Sequence, residues 1–267
     1  MCDRIENRKR KRGLRIMRKK RRKRHGIFGK MIGGLLAFLV LILLAAGMFW
    51  TLQGYFSYQK AVKEKPLAQA VEEVRSEAQW VSLDQVPELY QKAVLAVEDH
   101  RYYDHHGIDW ISTARAVVHD IRVMKPEQGG STITQQLVKN MYYDQNKTLA
   151  RKAAEAWTAL YVERQLSKEE ILELYINTIY FGDGYYGLKE ASLGYFGKEP
   201  QELTESEAVL LAGIPNAPSA YAPSRHADLA LQREKQVLAA MVKYGYLEQS
   251  ETDGLLWDAA ADPALAR

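Results

Sequence analysis

The sequence predicts an all-α chain carrying one N-terminal transmembrane helix, and three observations lead there. Met31 to Phe56 form a run of 26 residues without a formal charge, and about 20 apolar residues suffice to cross a hydrocarbon core. Beyond it, apolar positions recur at helical spacing behind Ser and Thr residues suited to capping. No series of alternating apolar and polar positions marks a set of strands, and no internal repeat is present. With 267 residues, 47% of them hydrophobic and 26% charged, the chain suits one or two domains and is too apolar for a disordered protein. Its single Cys, at position 2, excludes a disulfide scaffold and a zinc site built on several thiolates.

Charge divides the chain in two. Residues 1–30 hold 15 Lys and Arg against Asp3 and Glu6, a local charge of +13, whereas residues 31–267 hold 22 basic and 31 acidic residues, a charge of −9. The basic runs Arg8–Arg12 and Arg18–Arg24 stand just before the apolar stretch, and Lys and Arg beside a membrane segment stay cytoplasmic. Trp50, Tyr55 and Tyr58 at the other end suit the opposite interface. Residues 1–30 are therefore expected as a cytoplasmic tail, 31–56 as a single transmembrane helix, and the rest as extracytoplasmic. A cleavable signal peptide fits less well, because its apolar region is only about 7–15 residues long. Attraction to anionic lipid and topology account for the tail without a nucleic-acid partner.

Residues 57–80, rich in Lys and Glu, suit a juxtamembrane helix or linker. The body, residues 81–250, opens with Val86-Pro87-Glu88-Leu89-Tyr90 leading to Val94, Leu95 and Val97, Pro87 being tolerated in a first turn. Trp110 to Val123 reads as the next helix. Ser131 is placed to cap a third helix running to Tyr142, and Thr148 a fourth, through Trp157 and Tyr161 to Leu166. Ser167-Lys168-Glu169-Glu170 and Thr204-Glu205-Ser206-Glu207 are capping boxes opening two more. A last helix extends from near Asp228 to Tyr244. Loops are expected at Lys125–Gly130, Phe181–Gly187 and Pro215–Pro223, and residues 251–267 as a C-terminal tail.

Three stretches carry candidate chemistry. Glu98-Asp99-His100-Arg101-Tyr102-Tyr103-Asp104-His105-His106-Gly107 ends an apolar helix in acids and histidines. A carboxylate on such apolar support can serve as a general base, although alone the stretch reads rather as a solvated helix end. Gly129-Gly130-Ser131-Thr132-Ile133-Thr134-Gln135-Gln136-Leu137-Val138-Lys139-Asn140 opens a helix with two glycines and a run of neutral hydrogen-bonding groups, as sugars require. A glycine-rich turn before an ordinary helix is the plain alternative. Lys147, Arg151 and Glu155 share one helical face, where two cations can hold a diphosphate; by itself that stripe is a surface ion pair.

Read together and in order, these stretches resemble the peptidoglycan glycosyltransferases, glycosyltransferase family 51. Glu98-Asp99-x-x-Tyr102-x-x-His105-x-Gly107 is similar to the first family motif, with Tyr102 where Phe is usual. Gly129 to Gln136 with Lys139-Asn140 matches the second, and Arg151-Lys152-x-x-Glu155 the third. Lys168-x-x-Ile171-Leu172-Glu173-x-Tyr175-Ile176-Asn177 looks like the fourth, and Arg233-x-x-x-Val237-Leu238-x-x-Met241 the fifth. The resemblance covers about 81–245 and implies a lysozyme-like helical fold beside the membrane.

It also implies an activity, the polymerisation of lipid II into β-1,4-linked glycan strands with inversion and release of undecaprenyl diphosphate. Carried onto this chain, Glu98 becomes the general base and Glu155 the second carboxylate, near the departing diphosphate. Lys139, Lys147 and Arg151 become the diphosphate-binding cations, and Ser131, Thr132, Gln135 and Gln136 the lining of the sugar and phosphate subsites. Lys168, Glu173, Tyr175 and Asn177 are implied to brace the site, with Arg233 open between bracing and acceptor contact. No cofactor is obligatory, with a divalent cation (Mg or Mn) optional at Glu155. Partners implied are lipid II, the lipid-linked nascent glycan, the membrane, and cell-wall synthesis or division proteins. No transpeptidase activity is expected, because Ser57-Tyr58-Gln59-Lys60 fits Ser-x-x-Lys without its companion motifs, so a monofunctional transglycosylase is the expectation. A muramidase or lytic transglycosylase on a similar fold would not need the cations, and a catalytically silent scaffold would not need both carboxylates.

Overall fold

Hydroxyl side chains start four helices of the body. The computed structural model describes residues 2–123, 129–144 and 148–258. Residues 1–52 and 53–267 are separate compact units. The first lies within helix α1 (Cys2–Glu64), whose side chains from Leu35 to Leu44 are exposed. Gly33–Glu64 is long and apolar enough to cross a membrane.

The second unit contains the end of α1 followed by α2 (Leu67–Arg75), α3 (Glu88–Glu98), α4 (Trp110–Val123) and α5 (Ile133–Tyr142). There follow α6 (Leu149–Val162), α7 (Lys168–Thr178), α8 (Leu188–Phe196), α9 (Glu205–Gly213), the short α10 (Pro218–Tyr221) and α11 (Ala227–Lys243). Among the described residues no strand occurs, only an isolated bridge between Tyr180 and Tyr186. Thr132, Ser167 and Thr204 close capping boxes at α5, α7 and α9, and Thr148 caps α6, each cap being worth about 1 kcal/mol.

Two helix groups share one core. α3, α9 and α11 pack together through Val94, Leu95, Val209, Leu211, Val237 and Met241, while α5 packs on α6 and α7 through Ile133, Leu137, Val138 and Leu174. Each of these side chains contributes roughly 1.5–3 kcal/mol of burial. Within this unit the end of α1 rests on α6. Tyr55 meets Trp157 at 5.4 Å and Tyr58 meets Tyr161 at 5.7 Å between ring centres. Gly54 allows the approach, since a Cβ there would fall 2.5 Å from that of Ala153. Residues 57–80 include α2, which buries Leu67, Ala70 and Val71 and packs on α7.

Residues of the fourth motif brace the unit. Asn177 accepts from Val81 N at 2.9 Å and donates to Val81 O at 2.8 Å, Glu173 accepts from Leu83 N at 2.8 Å, and Lys168 donates to Glu163 at 2.8 Å. At the other end, both Glu234 oxygens lie within 3.1 Å of Trp257 N, seating Leu255 and Trp257 in the core. Burial pushes the Glu234 carboxyl up to about 7.

Two expectations are corrected, and one helix was not anticipated. α8 falls in a stretch without a helix signal, because Gly187 (φ 79°) opens it without a side-chain cap and Gly194 interrupts its apolar pattern. Within the expected loop Pro215–Pro223, Pro218 starts α10. The cap of α5 is Thr132, one residue later than Ser131. The expected loop at Lys125–Gly130 lies outside the described residues up to position 128.

Candidate active site

α3 ends at Glu98, and its packing against α9 and α11 leaves that carboxylate only 9% exposed. Gln136, one turn into α5, donates to Glu98 Oε2 at 2.7 Å. Oε1 is buried and has no hydrogen-bond partner among the described residues, with Arg233 Nη2 standing 4.0 Å away. Burial pushes the Glu98 carboxyl above its ordinary value of 4.5, against the pull of Gln136, Arg233 and Lys139 and with the push of Asp99. The result is a carboxylate poised to accept a proton nearer neutrality than an ordinary Glu.

Asp99, the next residue, faces away from that role. Both its oxygens engage His105 Nε2, at 3.0 and 2.9 Å, and Oδ2 accepts from Ile133 N at 3.0 Å. An acidic group at the start of α5 suits the positive end of that helix. Thr132 Oγ1 donates to Gly107 O at 2.7 Å and accepts from Gln135 N at 3.1 Å, while Gln135 Oε1 accepts from Thr132 N at 3.1 Å. Thr132 and Gln135 thus spend their hydrogen bonds on anchoring α5, whereas Ser131 and Gln136 reach other elements.

Glu155 occupies the opposite kind of place. It is 1% exposed in the middle of α6, with Lys152 Nζ at 2.9 Å from Oε2 and Arg151 Nε at 3.0 Å from Oε1, the latter an ion pair without hydrogen-bond alignment. Arg151 Nη1 also donates to Asp144 O at 2.9 Å, and Lys152 Nζ donates to Ser131 Oγ at 2.7 Å. Arg151 and Glu155, expected at a helix surface, are therefore largely buried, because α5 and the end of α1 cover α6. Lys147 lies outside the described residues. Lys152, absent from the expected site, ties α6 to the glycine-rich turn. Its spacing three residues before Glu155 is the signal in the sequence that points to it. With two cations already on Glu155, the surroundings of this carboxylate do not fit a divalent cation. No group of three or more His, Cys, Asp or Glu is arranged for a metal among the described residues.

Lys139 connects the two acids. It makes no ion pair among the described residues, and burial lowers its ammonium below the usual 10.5, with Glu155 and Glu98 raising it and Arg151 and Lys152 lowering it. Two cavities flank α5. One of about 420 Å³ is lined by Glu98, the turn Gly129–Thr132, Arg115, Gln236 and Lys243. The other, about 980 Å³, is lined by Gln136, Lys139 and Asn140 together with Trp80, Tyr180 and Tyr186. Arg151 and Glu155 line neither of these cavities. Beside the first, α4 exposes Trp110, Ile111, Val117 and Val118. Hydrogen-bonding groups, aromatic faces and cations along one pair of cavities suit a large ligand carrying both sugars and phosphate.

Comparison with known proteins agrees with this chemistry. A family model described as Transglycosylase matches residues 63–242. Penicillin-binding protein 1F of Bacillus subtilis is 46% identical over 171 residues, which cover 64% of this chain and 24% of that protein. For penicillin-binding protein 1A of Escherichia coli the identity is 43% over 173 residues, covering 65% and 20%. The chain thus spans about a quarter or less of the length of these relatives. A Cupriavidus necator protein named as a transglycosylase is 38% identical over 220 residues, covering 82% of this chain and 94% of that protein. Among solved structures, penicillin-binding protein 1A of Haemophilus influenzae covers 67% of this chain and 17% of its own, at 26% identity and a TM-score of 0.40. A match across most of the second unit, and a relative matched along nearly its whole length, place the chain in the transglycosylase family, the peptidoglycan glycosyltransferases of family 51.

Proposed function

We propose that the protein polymerises lipid II into β-1,4-linked glycan strands on the outer face of the cytoplasmic membrane, with inversion at the anomeric carbon. The observation that carries this reading is Glu98, which lines the smaller cavity and whose buried Oε1 has no hydrogen-bond partner among the described residues, with Lys139, which makes no ion pair among them, lining the larger one. Glu98 takes the proton from the 4-hydroxyl of the acceptor N-acetylglucosamine as that oxygen attacks C1 of the donor N-acetylmuramic acid. The bond from C1 to the diphosphate oxygen breaks, and its electron pair leaves with undecaprenyl diphosphate. No other energy source is needed, since the donor arrives activated.

Lys139, Lys147 and Arg151 meet the charge growing on the leaving diphosphate, and preorganised charge of this kind often contributes more to catalysis than any other single effect. Lys152 is added to that set, and Glu155 fixes Arg151 and Lys152 in place. Gln136 and Ser131 contact the substrate, while Thr132 and Gln135 act by holding α5. The aromatic faces of Trp80, Tyr180 and Tyr186 in the larger cavity suit pyranose rings of the growing strand. α1 anchors the chain with the basic residues 1–30 inside, and the exposed apolar side of α4 lies toward lipid. Detergent-solubilised full-length protein incubated with labelled lipid II is expected to form glycan polymer, and Glu98→Gln to lose it while remaining folded. Near-normal turnover by that variant overturns the reading, as does release of soluble fragments from finished peptidoglycan without polymerisation.

A further inference from the structure

Arg233, on α11, is tied down on three sides. Its Nε donates to Gly213 O at the end of α9 at 3.1 Å, its Nη1 donates to Gln236 Oε1 at 3.0 Å, and the guanidinium carbon stands 5.8 Å from the centre of the Tyr221 ring. The side chain lies so flat on α9 that a Cβ at Gly213 would fall 2.9 Å from Arg233 Cγ and 3.1 Å from Val237 Cγ2. Arg is suited to this, because its planar fork can satisfy separate acceptors at fixed angles. The remaining nitrogen, Nη2, is the one that stands 4.0 Å from Glu98 Oε1.

We propose that Arg233 is a positioning residue for the base: locked by Gly213 and Gln236, it holds a fixed positive charge beside Glu98 Oε1 and keeps that carboxylate free to take the proton. The proposal rests on the reading of Glu98 as the base. Five titratable groups face Glu98 from the elements packed on it. Asp99 and Tyr90 come from the α3 side, Tyr175 from α7, Lys139 from α5 and Arg233 from α11. The two phenols are fully buried and neutral, and Asp99 is engaged by His105 and Ile133. Of the two cations, Lys139 is drawn to the diphosphate during the proposed reaction. Arg233, anchored at Nε and Nη1, stays where it is throughout the cycle. Without it the carboxylate would face burial and the Asp99 charge with no permanent counter-charge, and would hold its proton to higher pH.

The test is the pH dependence of kcat/KM and kcat for full-length protein in detergent with labelled lipid II, in Arg233→Met, Arg233→Lys and Gln236→Leu beside Glu98→Gln. Arg233→Met is expected to move the acidic limb up by about one pH unit, roughly a tenfold loss on its acid side with recovery on the alkaline side, at little change in KM. Arg233→Lys restores part of the shift, because the charge returns without the fork. Gln236→Leu, which frees only Nη1, moves the limb less and in the same direction, and reads the same quantity should Arg233→Met not fold. An unmoved limb in every folded variant overturns the proposal, as does a raised KM at an unmoved limb, which marks a contact with the acceptor instead. Glu98→Gln separates the two readings. Loss at every pH keeps Glu98 as the base whatever Arg233 does, and retained activity removes the base itself.

Discussion

Glu98 and Glu155 are the same residue type, both nearly out of solvent, and their surroundings are opposite. Glu98 ends a helix and, among the described residues, keeps one oxygen without a hydrogen bond and has a cation no nearer than 4.0 Å. Glu155 sits in the middle of a helix with a cation within 3.0 Å of each oxygen. Burial alone therefore does not make a base. A buried carboxylate is available for proton transfer only where its lone pairs are left over, and one that two cations already hold is a strut.

Substitutions at the two acids give the sharpest test of that contrast. Glu98→Gln is expected to lower turnover of lipid II by about 10² to 10⁴, the range for a general base, while the protein is no less stable. The sign follows from the raised carboxyl. Its favourable contribution is complete below the unfolded value of 4.5 and is lost as pH rises through the higher folded value. Denaturant unfolding at neutral pH should therefore find the Gln variant at least as stable as the parent, and the difference should vanish below pH 4.5. A variant that unfolds easily would make Glu98 a strut as well.

Glu155→Gln should do the reverse in kind, lowering activity and also stability by about 2–3 kcal/mol. It leaves the mostly buried Arg151 short of its counter-charge while the half-exposed Lys152 can turn to water. Unchanged stability would break the contrast. Lys139→Met is expected to slow turnover about a hundredfold without loss of stability, since its half-buried side chain makes no ion pair among the described residues. The smallest effect is expected at Thr132→Val, a loss of about 1 kcal/mol by thermal unfolding as the cap of α5 and the bond to Gly107 go. Because α5 carries Gln136 against Glu98 and packs on the helix that holds Glu155, that variant should disturb both sides of the comparison slightly.

The helices with polar caps are legible in the sequence. Thr148, Ser167 and Thr204 announce α6, α7 and α9 to the residue, because a hydroxyl that accepts a backbone N–H is a local interaction. α8 is not legible there, since Gly187 enters it through a positive φ with no side-chain cap, and its burial comes from distant partners. At the site, the motifs place Glu98, Gln136 and Lys139 on the right elements. Spacing could not show that Thr132 and Gln135 are occupied in a capping box, or that Lys152 joins Glu155 to Ser131.

The order of residues by itself determined the apolar span, its charge asymmetry and the helical class, because these depend on composition and on contacts within a few residues, whereas the two carboxylates stood out only through the family resemblance. The two cations on Glu155 come from its own helix, but tertiary structure decided that this pair is buried and that Glu98 keeps an oxygen without a hydrogen bond among the described residues. That choice depends on the approach of α5 and α11 to the end of α3, and of α5 and the end of α1 to α6, across tens of residues of chain. Such distances carry no periodic signal, and electrostatic strength is set by separation and burial rather than by sequence spacing.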